Sequence, residues 1–252
     1  MSYHGYRRET INQKAAELLR AYKAEHPERF QLPMDPIALA EYCGLQVLFD
    51  SVDDGNPMMQ RLAKIIPAKR LIVVDEKAYA NNAGQGHFSI GHELGHWQLY
   101  LRKEANDTQC PLFTLTDDEA VEAGFYRTRH GMALPSLPNL RQLSQCALEK
   151  LAAFFRDFDT QAVERAVNGF AAAILMPPEL VHELAESMNI RTAEDAELPL
   201  LVRSCAERCE VSAQAMGYRL KELEILYCEV LPDGRQHFSH RNPIERVQLS
   251  LL

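Results

Sequence analysis

Gly86-His87-Phe88-Ser89-Ile90-Gly91-His92-Glu93-Leu94-Gly95-His96-Trp97-Gln98-Leu99-Tyr100 is the stretch on which the reading of this chain turns. As a helix it sets His92 and His96 one turn apart, about 40° around the axis and roughly 6 Å along it, so both imidazoles reach one metal ion. Glu93 lies about 100° from His92, off the ligand face but within reach of a water held in an open coordination position. That makes Glu93 the expected general base, beside a metal that brings the pKa of such a water towards neutrality, and the expected chemistry is peptide-bond hydrolysis. The same helix carries Phe88, Ile90, Leu94, Trp97, Leu99 and Leu101 and should be buried over much of its surface. Two histidines and a glutamate buried there without partners would be costly; a metal supplies the partner. Two chance histidines in an amphipathic core helix are the bland alternative. Gly91 and Gly95 each weaken a helix by ~1 kcal/mol relative to Ala, which predicts close packing or a nearby ligand at those positions.

With 252 residues the chain can bury a sizeable core, as one elaborated domain or two small ones, and its 46% hydrophobic and 25% charged residues are those of an ordinary globular protein. No apolar run reaches the ~18 residues that span a bilayer, and the polar start Met1-Ser2-Tyr3-His4-Gly5-Tyr6-Arg7-Arg8 lacks a following apolar h-region, so no membrane association and a cytoplasmic location are expected. The six cysteines are scattered without a C-x-x-C and read as reduced thiols; Cys205 and Cys209, one turn apart, read as small residues of a partly buried helix. A net charge of −8 argues against a phosphate-neutralising surface and hence against direct nucleic-acid binding.

Ile11, Ala15, Leu18, Leu19 and Tyr22 share one face of a helix spanning about Glu9 to Tyr22. Asp35-Pro36 is an N-cap with proline at the first helical position and Gly44 a stop, giving a short helix from Pro36 to Cys43, followed by the strand Leu45 to Phe49. Asp53-Asp54-Gly55-Asn56-Pro57 is turn chemistry. Arg61 to Ile66 and Leu71 to Asp75 then read as strands of a small antiparallel or mixed sheet, the second leading almost directly into the metal helix near Asn82. Residues 102–160 read as an insertion, with an extended piece at Pro111 to Leu115, an acidic helix start at Thr116 to Glu119, a Pro-containing loop around Leu134 to Pro138 and a helix from Arg141 to Phe155. It is either padding or a cleft cover or partner-recognition segment.

A hydrolytic zinc site of this type needs a third protein ligand, with the fourth position left to water. Glu164 is the best candidate, at the start of a helix that ends at Met176 before Pro177-Pro178; Asn168 lies one turn on, placed to orient Glu164 or a ligating histidine. Glu119 and Glu122 compete for the role. The small surface of Ala171, Ala172 and Ala173 suits tight packing against the metal helix.

These two stretches carry a resemblance. F-S-I-G-H-E-L-G-H-W followed by E-R-A-V-N-G-F-A-A-A-I-L-M-P-P resembles the ImmA/IrrE family of metallopeptidases, whose pattern is H-E-L-G-H and later E-x-x-A-N-x-F-A-A-x-L-L-M-P. Val211 to Leu220 resembles its downstream V-S-x-x-A-M-x-x-R-L, and Leu32-Pro33-Met34-Asp35-Pro36 its opening segment. The resemblance implies one zinc ion ligated by His92, His96 and Glu164, with Glu93 as base, in a zincin-like fold. It also implies limited proteolysis of a helix-turn-helix transcriptional repressor, often of a mobile element or stress regulon. The chain departs from the pattern in a longer gap between His96 and Glu164, in Ala166-Val167, and in Gln85-Gly86-His87 where an arginine-rich lead-in is frequent.

The expected fold is therefore α+β: a small mixed or antiparallel sheet packed on the metal helix, a largely helical C-terminal half, and a terminal hairpin formed by Ile225 to Val230 and Arg235 to Phe238 around Pro232-Asp233-Gly234. It divides into 1–101, the insertion 102–160, and 161–252, as one compact catalytic unit. Tyr100, on the stripe of His92 and His96, is a candidate oxyanion donor, with Tyr126, His130 and His182 as alternatives. Two other readings stand beside the peptidase: a non-hydrolytic zincin-like module that sequesters a repressor or senses metal, and a DNA-binding regulator using the helix-turn-helix outline of residues 201–223. The sequence leaves the oligomeric state open.

Overall fold

The structure, a computed structural model, describes residues 6–52, 61–106, 125–128, 131–133, 145, 149 and 160–240. Helix α1 (Arg8–Glu25) buries Ile11, Ala15, Leu19 and Tyr22, a stripe at helical spacing. Helix α2 (Pro36–Tyr42) starts where the Asp35 carboxylate accepts from Ile37 N (2.9 Å) and Ala38 N (3.1 Å), and the chain leaves it through Gly44 at φ 78°.

Strands β1 (Gln46–Asp50), β2 (Arg61–Ile66) and β3 (Leu71–Asp75) form a mixed sheet, β1 parallel to β3 and β3 antiparallel to β2. Two further strands, β4 (Phe125–Thr128) and β5 (Gly131–Ala133), extend it to the order β1-β3-β2-β4-β5. Residues 102–160 are thus more than padding: they supply two strands of the central sheet, which period-two patterning over three or four residues is too short to announce. The expectations for Pro111 to Glu119 and Leu134 to Pro138 lie outside the described residues. So does that for Arg141 to Phe155, apart from helical Gln145 and Glu149, where Gln145 Nε2 donates to Glu149 Oε1 at 3.0 Å.

The strand does not run straight into the metal helix. Asp75 accepts from Ala78 N at 2.7 Å and begins a one-and-a-half-turn helix, α3 (Glu76–Asn81), before Asn82 accepts from Gln85 N at 3.0 Å and begins α4 (Ala83–His96). Nor does the α-helical pitch continue to Leu101: Trp97–Leu101 is a π-helical turn, followed by the short α5 (Arg102–Ala105). Wide turns of this kind are concentrated beside functional sites.

Helix α6 (Thr160–Leu175) lies antiparallel across α4, with His96 level with Glu164 and Gly91 level with Ala171 and Leu175. A Cβ on Gly95 would stand 3.0 Å from Val167 Cγ1 and 3.1 Å from Val167 O, and one on Gly91 3.3 Å from Leu175 Cδ1. The two glycines therefore let the helices meet nearly backbone to backbone. Helices α7 (Pro178–Ser187), α8 (Leu198–Arg208) and α9 (Ala213–Glu222) follow, and β6 (Tyr227–Val230) pairs antiparallel with β7 (Gln236–Ser239). One apolar cluster, including Leu39, Ile72, Ile90, Leu94, Trp97, Phe170, Ile174 and Leu220, joins sheet and helices, and the described architecture is α+β.

Candidate metal centre

His92 and His96 project from α4 and Glu164 from α6 onto one point. The two Nε2 atoms are 3.1 Å apart, His92 Nε2 is 3.4 Å from Glu164 Oε2, and His96 Nε2 is 3.3 Å from Glu164 Oε1. A tetrahedral ion with donors at about 2.0–2.1 Å sets neighbouring donors about 3.3 Å apart, and each imidazole nitrogen stands at that separation from the other and from one oxygen of the Glu164 carboxylate. Nitrogen, nitrogen and carboxylate oxygen are also the donor set that a divalent transition ion takes in hydrolytic sites. The residues present fit a metal, and they are the one such group among the described residues.

Burial sharpens the fit. Both histidines are 1% exposed and Glu93 is 0% exposed, while the Glu164 side chain keeps 18%, so the triangle is dry on the α4 side and open past Glu164. Asn168 Oδ1 stands 3.0 Å from His92 Nδ1, which fixes Nδ1 as the protonated nitrogen and turns the Nε2 lone pair towards Glu164. Of the two partners expected for Asn168, the structure places it against the histidine.

Tyr100 lies on the π turn, 8% exposed, its ring 5.3 Å from that of Tyr6, whose hydroxyl donates to Leu99 O at 2.9 Å. Burial, then the neighbouring Tyr6 and the Glu164 carboxylate, push its phenol far above the ordinary range, so it stays a hydroxyl donor at every physiological pH. His182 sits half-buried on α7, outside the metal-ligating group. The side chain of Tyr126, like His130, Glu119 and Glu122, lies outside the described residues.

A second polar cluster escapes sequence reasoning. Tyr79 Oη is 2.9 Å from His87 Nε2, and His87 Nδ1 is 3.0 Å from Glu210 Oε2, linking α3, the first half of α4 and the turn before α9. Glu210 has a left-handed backbone, φ 51°, and its carbonyl oxygen would stand 2.9 Å from a Cβ on Gly84. The contact spans 123 positions, from 87 to 210, so only the third, non-ligating histidine of the metal stretch, His87, hinted at it. Among the cysteines, burial pushes the thiols of Cys205 and Cys209 up to about 11 and about 12, and Cys205 Sγ packs 3.3 Å from Met188 Sδ. These are protonated core thiols, free like Cys43 and Cys228.

None of the described helices is long and apolar enough to cross a membrane. No curated protein matches the chain. A family model does match, over residues 136–221, which hold Glu164, Asn168 and α7 to α9 but not the His92–His96 stretch. That model is described as the IrrE N-terminal-like domain, Peptidase_M78, and its match covers about a third of the chain.

Proposed function

We propose that this chain is a zinc-dependent endopeptidase that cuts a regulatory protein, a transcriptional repressor of the helix-turn-helix kind, in the cytoplasm. The observation that carries the proposal is the His92–His96–Glu164 cluster, in which the two Nε2 atoms lie 3.1 Å apart and each lies 3.3 to 3.4 Å from one oxygen of the Glu164 carboxylate. His92, His96 and Glu164 would hold the zinc ion, which when bound supplies Lewis acidity towards a water and a peptide carbonyl. Asn168 holds the His92 ring in the ligating tautomer. Glu93, one position from His92 on a buried face, takes a proton from the attacking water and returns it to the leaving amine. Tyr100 is the candidate donor to the developing oxyanion, being held protonated beside Glu164. The repressor as substrate rests on the family resemblance; a net charge of −8 suits a basic, DNA-binding partner better than DNA itself.

Glu93→Gln tests the role of the base. The variant should bind one equivalent of zinc, measured by inductively coupled plasma spectrometry, and lose cleavage of the repressor at least 10²-fold. Retained cleavage would remove Glu93 from the chemistry. Full repressor release by the inactive variant would instead favour sequestration without hydrolysis.

A further inference from the structure

The stripe that carries the metal ligands does not stop at them. On α4 the sequence His96, His92, Phe88, Gln85 descends by helical turns, and on α6 Glu164, Asn168, Ala172 climbs by turns beside it. Beyond His92 and Asn168 the seam between the two helices opens into a cavity of about 710 Å³, walled on its far side by α9 with Ala215 and Tyr218. Its lining mixes apolar surface with uncharged polar groups, Asn82, Ser212 and Gln214 among the latter. Phe88, Ala172 and Ala215 are half-buried, Tyr218 is 48% exposed, and Gln85 and Asn168 add carboxamides at the floor. The two ionised side chains in the lining are committed to protein partners: buried Arg219 donates to Glu222 (2.8 Å) and Met176 O (2.9 Å), and Glu222 also accepts from Arg8 (2.9 Å) and Asn12 (3.0 Å).

Resting on the peptidase reading above, we propose that this cavity is a specificity subsite that receives an uncharged, apolar or aromatic side chain of the substrate polypeptide. The volume lies within the ~300–1,000 Å³ of ligand pockets, enough for a large side chain with its flanking peptide units. Phe88 and Tyr218 offer aromatic surface to that side chain, and the carboxamides offer both a donor and an acceptor to main-chain groups. A charged side chain would give up its hydration without a free counter-charge, because Arg219 and Glu222 already hold protein partners. Position follows from the helix pitch: Phe88 and Gln85 lie about 6 to 10 Å along α4 from His92, which an extended peptide spans in two or three residues. The subsite therefore reads a residue two or three positions from the bond that is cut.

The test pairs cleavage with binding. An equimolar peptide library digested by the zinc-loaded wild type should give products, mapped by mass spectrometry, in which Phe, Tyr, Leu or Met exceeds Asp, Glu and Lys at least tenfold at that position. Ala215→Trp, and Ala172→Leu from the opposite wall, fill the cavity and should reduce the preference to below twofold while keeping one equivalent of zinc. Cleavage with no such preference, or a preference both variants retain, overturns the subsite. Zinc-loaded Glu93→Gln titrated by NMR with Ac-Ala-Phe-Ala-Ala-NH2 and Ac-Ala-Asp-Ala-Ala-NH2 separates the two proposals. Selective binding of the phenylalanine peptide, abolished by Ala215→Trp, upholds the subsite even if the wild type cuts nothing and the peptidase reading falls. Equal binding of both peptides, or of neither, overturns it.

Discussion

Asn168 shows how much one uncharged residue can contribute to a candidate metal centre. Its carboxamide oxygen is what makes His92 present Nε2 rather than Nδ1 to the cluster, at 3.0 Å. Removing such a partner costs metal affinity by about 10- to 100-fold in comparable sites. Asn168→Ala should show that loss in a competition titration against a chromophoric chelator, whereas Asn168→Asp, which keeps the acceptor, should hold zinc at least as tightly as wild type. Equal affinity of Asn168→Ala and wild type would assign the orientation of His92 to packing alone. At this scale the sequence was informative. The i, i+4 spacing of His92 and His96 and of Glu164 and Asn168 follows from helix pitch, and so do the caps at Asp35 and Asn82. Which of two groups Asn168 would touch depended on how two helices cross, and that is not a local property.

That crossing is the decisive relation between elements. Gly95 stands where α4 and α6 touch, and the atom closest behind Val167 Cγ1 is a main-chain carbonyl oxygen, which cannot swing aside. Gly95→Ala gains ~1 kcal/mol of helix propensity yet forces the backbones apart, and overpacking of this kind costs about 1–3 kcal/mol. The net effect should be a loss of stability, read as a Tm lower by a few degrees, with a larger fall in zinc affinity, because the Nε2 and carboxylate donors sit on opposite sides of the widened seam. A rise in Tm would mean that the helices can part freely. The glycines signalled close packing from the sequence, and Ala171, Ala172 and Ala173 pointed to the helix they meet; that Val167 fills the seam at Gly95 was not legible. The sheet was legible only in part: Leu71 to Asp75 and Arg61 to Ile66 are apolar enough to read as strands, whereas β4 and β5 join it from far along the chain and owe their place to pairing with β2. Period-based reading also continued the metal helix smoothly through Leu101, because hydrophobic spacing does not distinguish a π turn from an α turn over five residues.

Across the whole molecule, the N-terminal helix is clasped to the C-terminal half at Glu179, which takes Lys23 at 2.7 Å, and more extensively at Glu222. Glu222 on α9 accepts from Arg8 Nε (2.9 Å) and Asn12 Nδ2 (3.0 Å) on α1 and from Arg219 Nη1 (2.8 Å), while Arg219 Nε donates to Met176 O at the end of α6 (2.9 Å). Burial opposes the charge on Glu222, but Arg219 and the hydrogen bonds from Asn12, Arg8 and Arg219 outweigh it and hold the carboxyl below its ordinary value of 4.5. A carboxylate depressed in this way contributes stability that is fully present above its unfolded pKa and is lost as pH falls through the folded one. In chelator-treated protein, where histidine protonation cannot act by releasing metal, Tm should fall more steeply below about pH 4.5 in wild type than in Glu222→Gln. Parallel curves would show that the clasp contributes nothing. The same long reach governs the five residues after His96. A π turn spends one residue more than ordinary pitch requires, so the chain beyond it is phased by how many residues the turn holds rather than by which ones. Excising a single residue there would let tighter winding resume and leave the chain beyond it facing nearly as before, whereas inserting one would turn that chain by about 100° relative to the imidazoles. Substitution within that segment, or loss of its one extra residue, can be absorbed, whereas added length re-aims everything downstream.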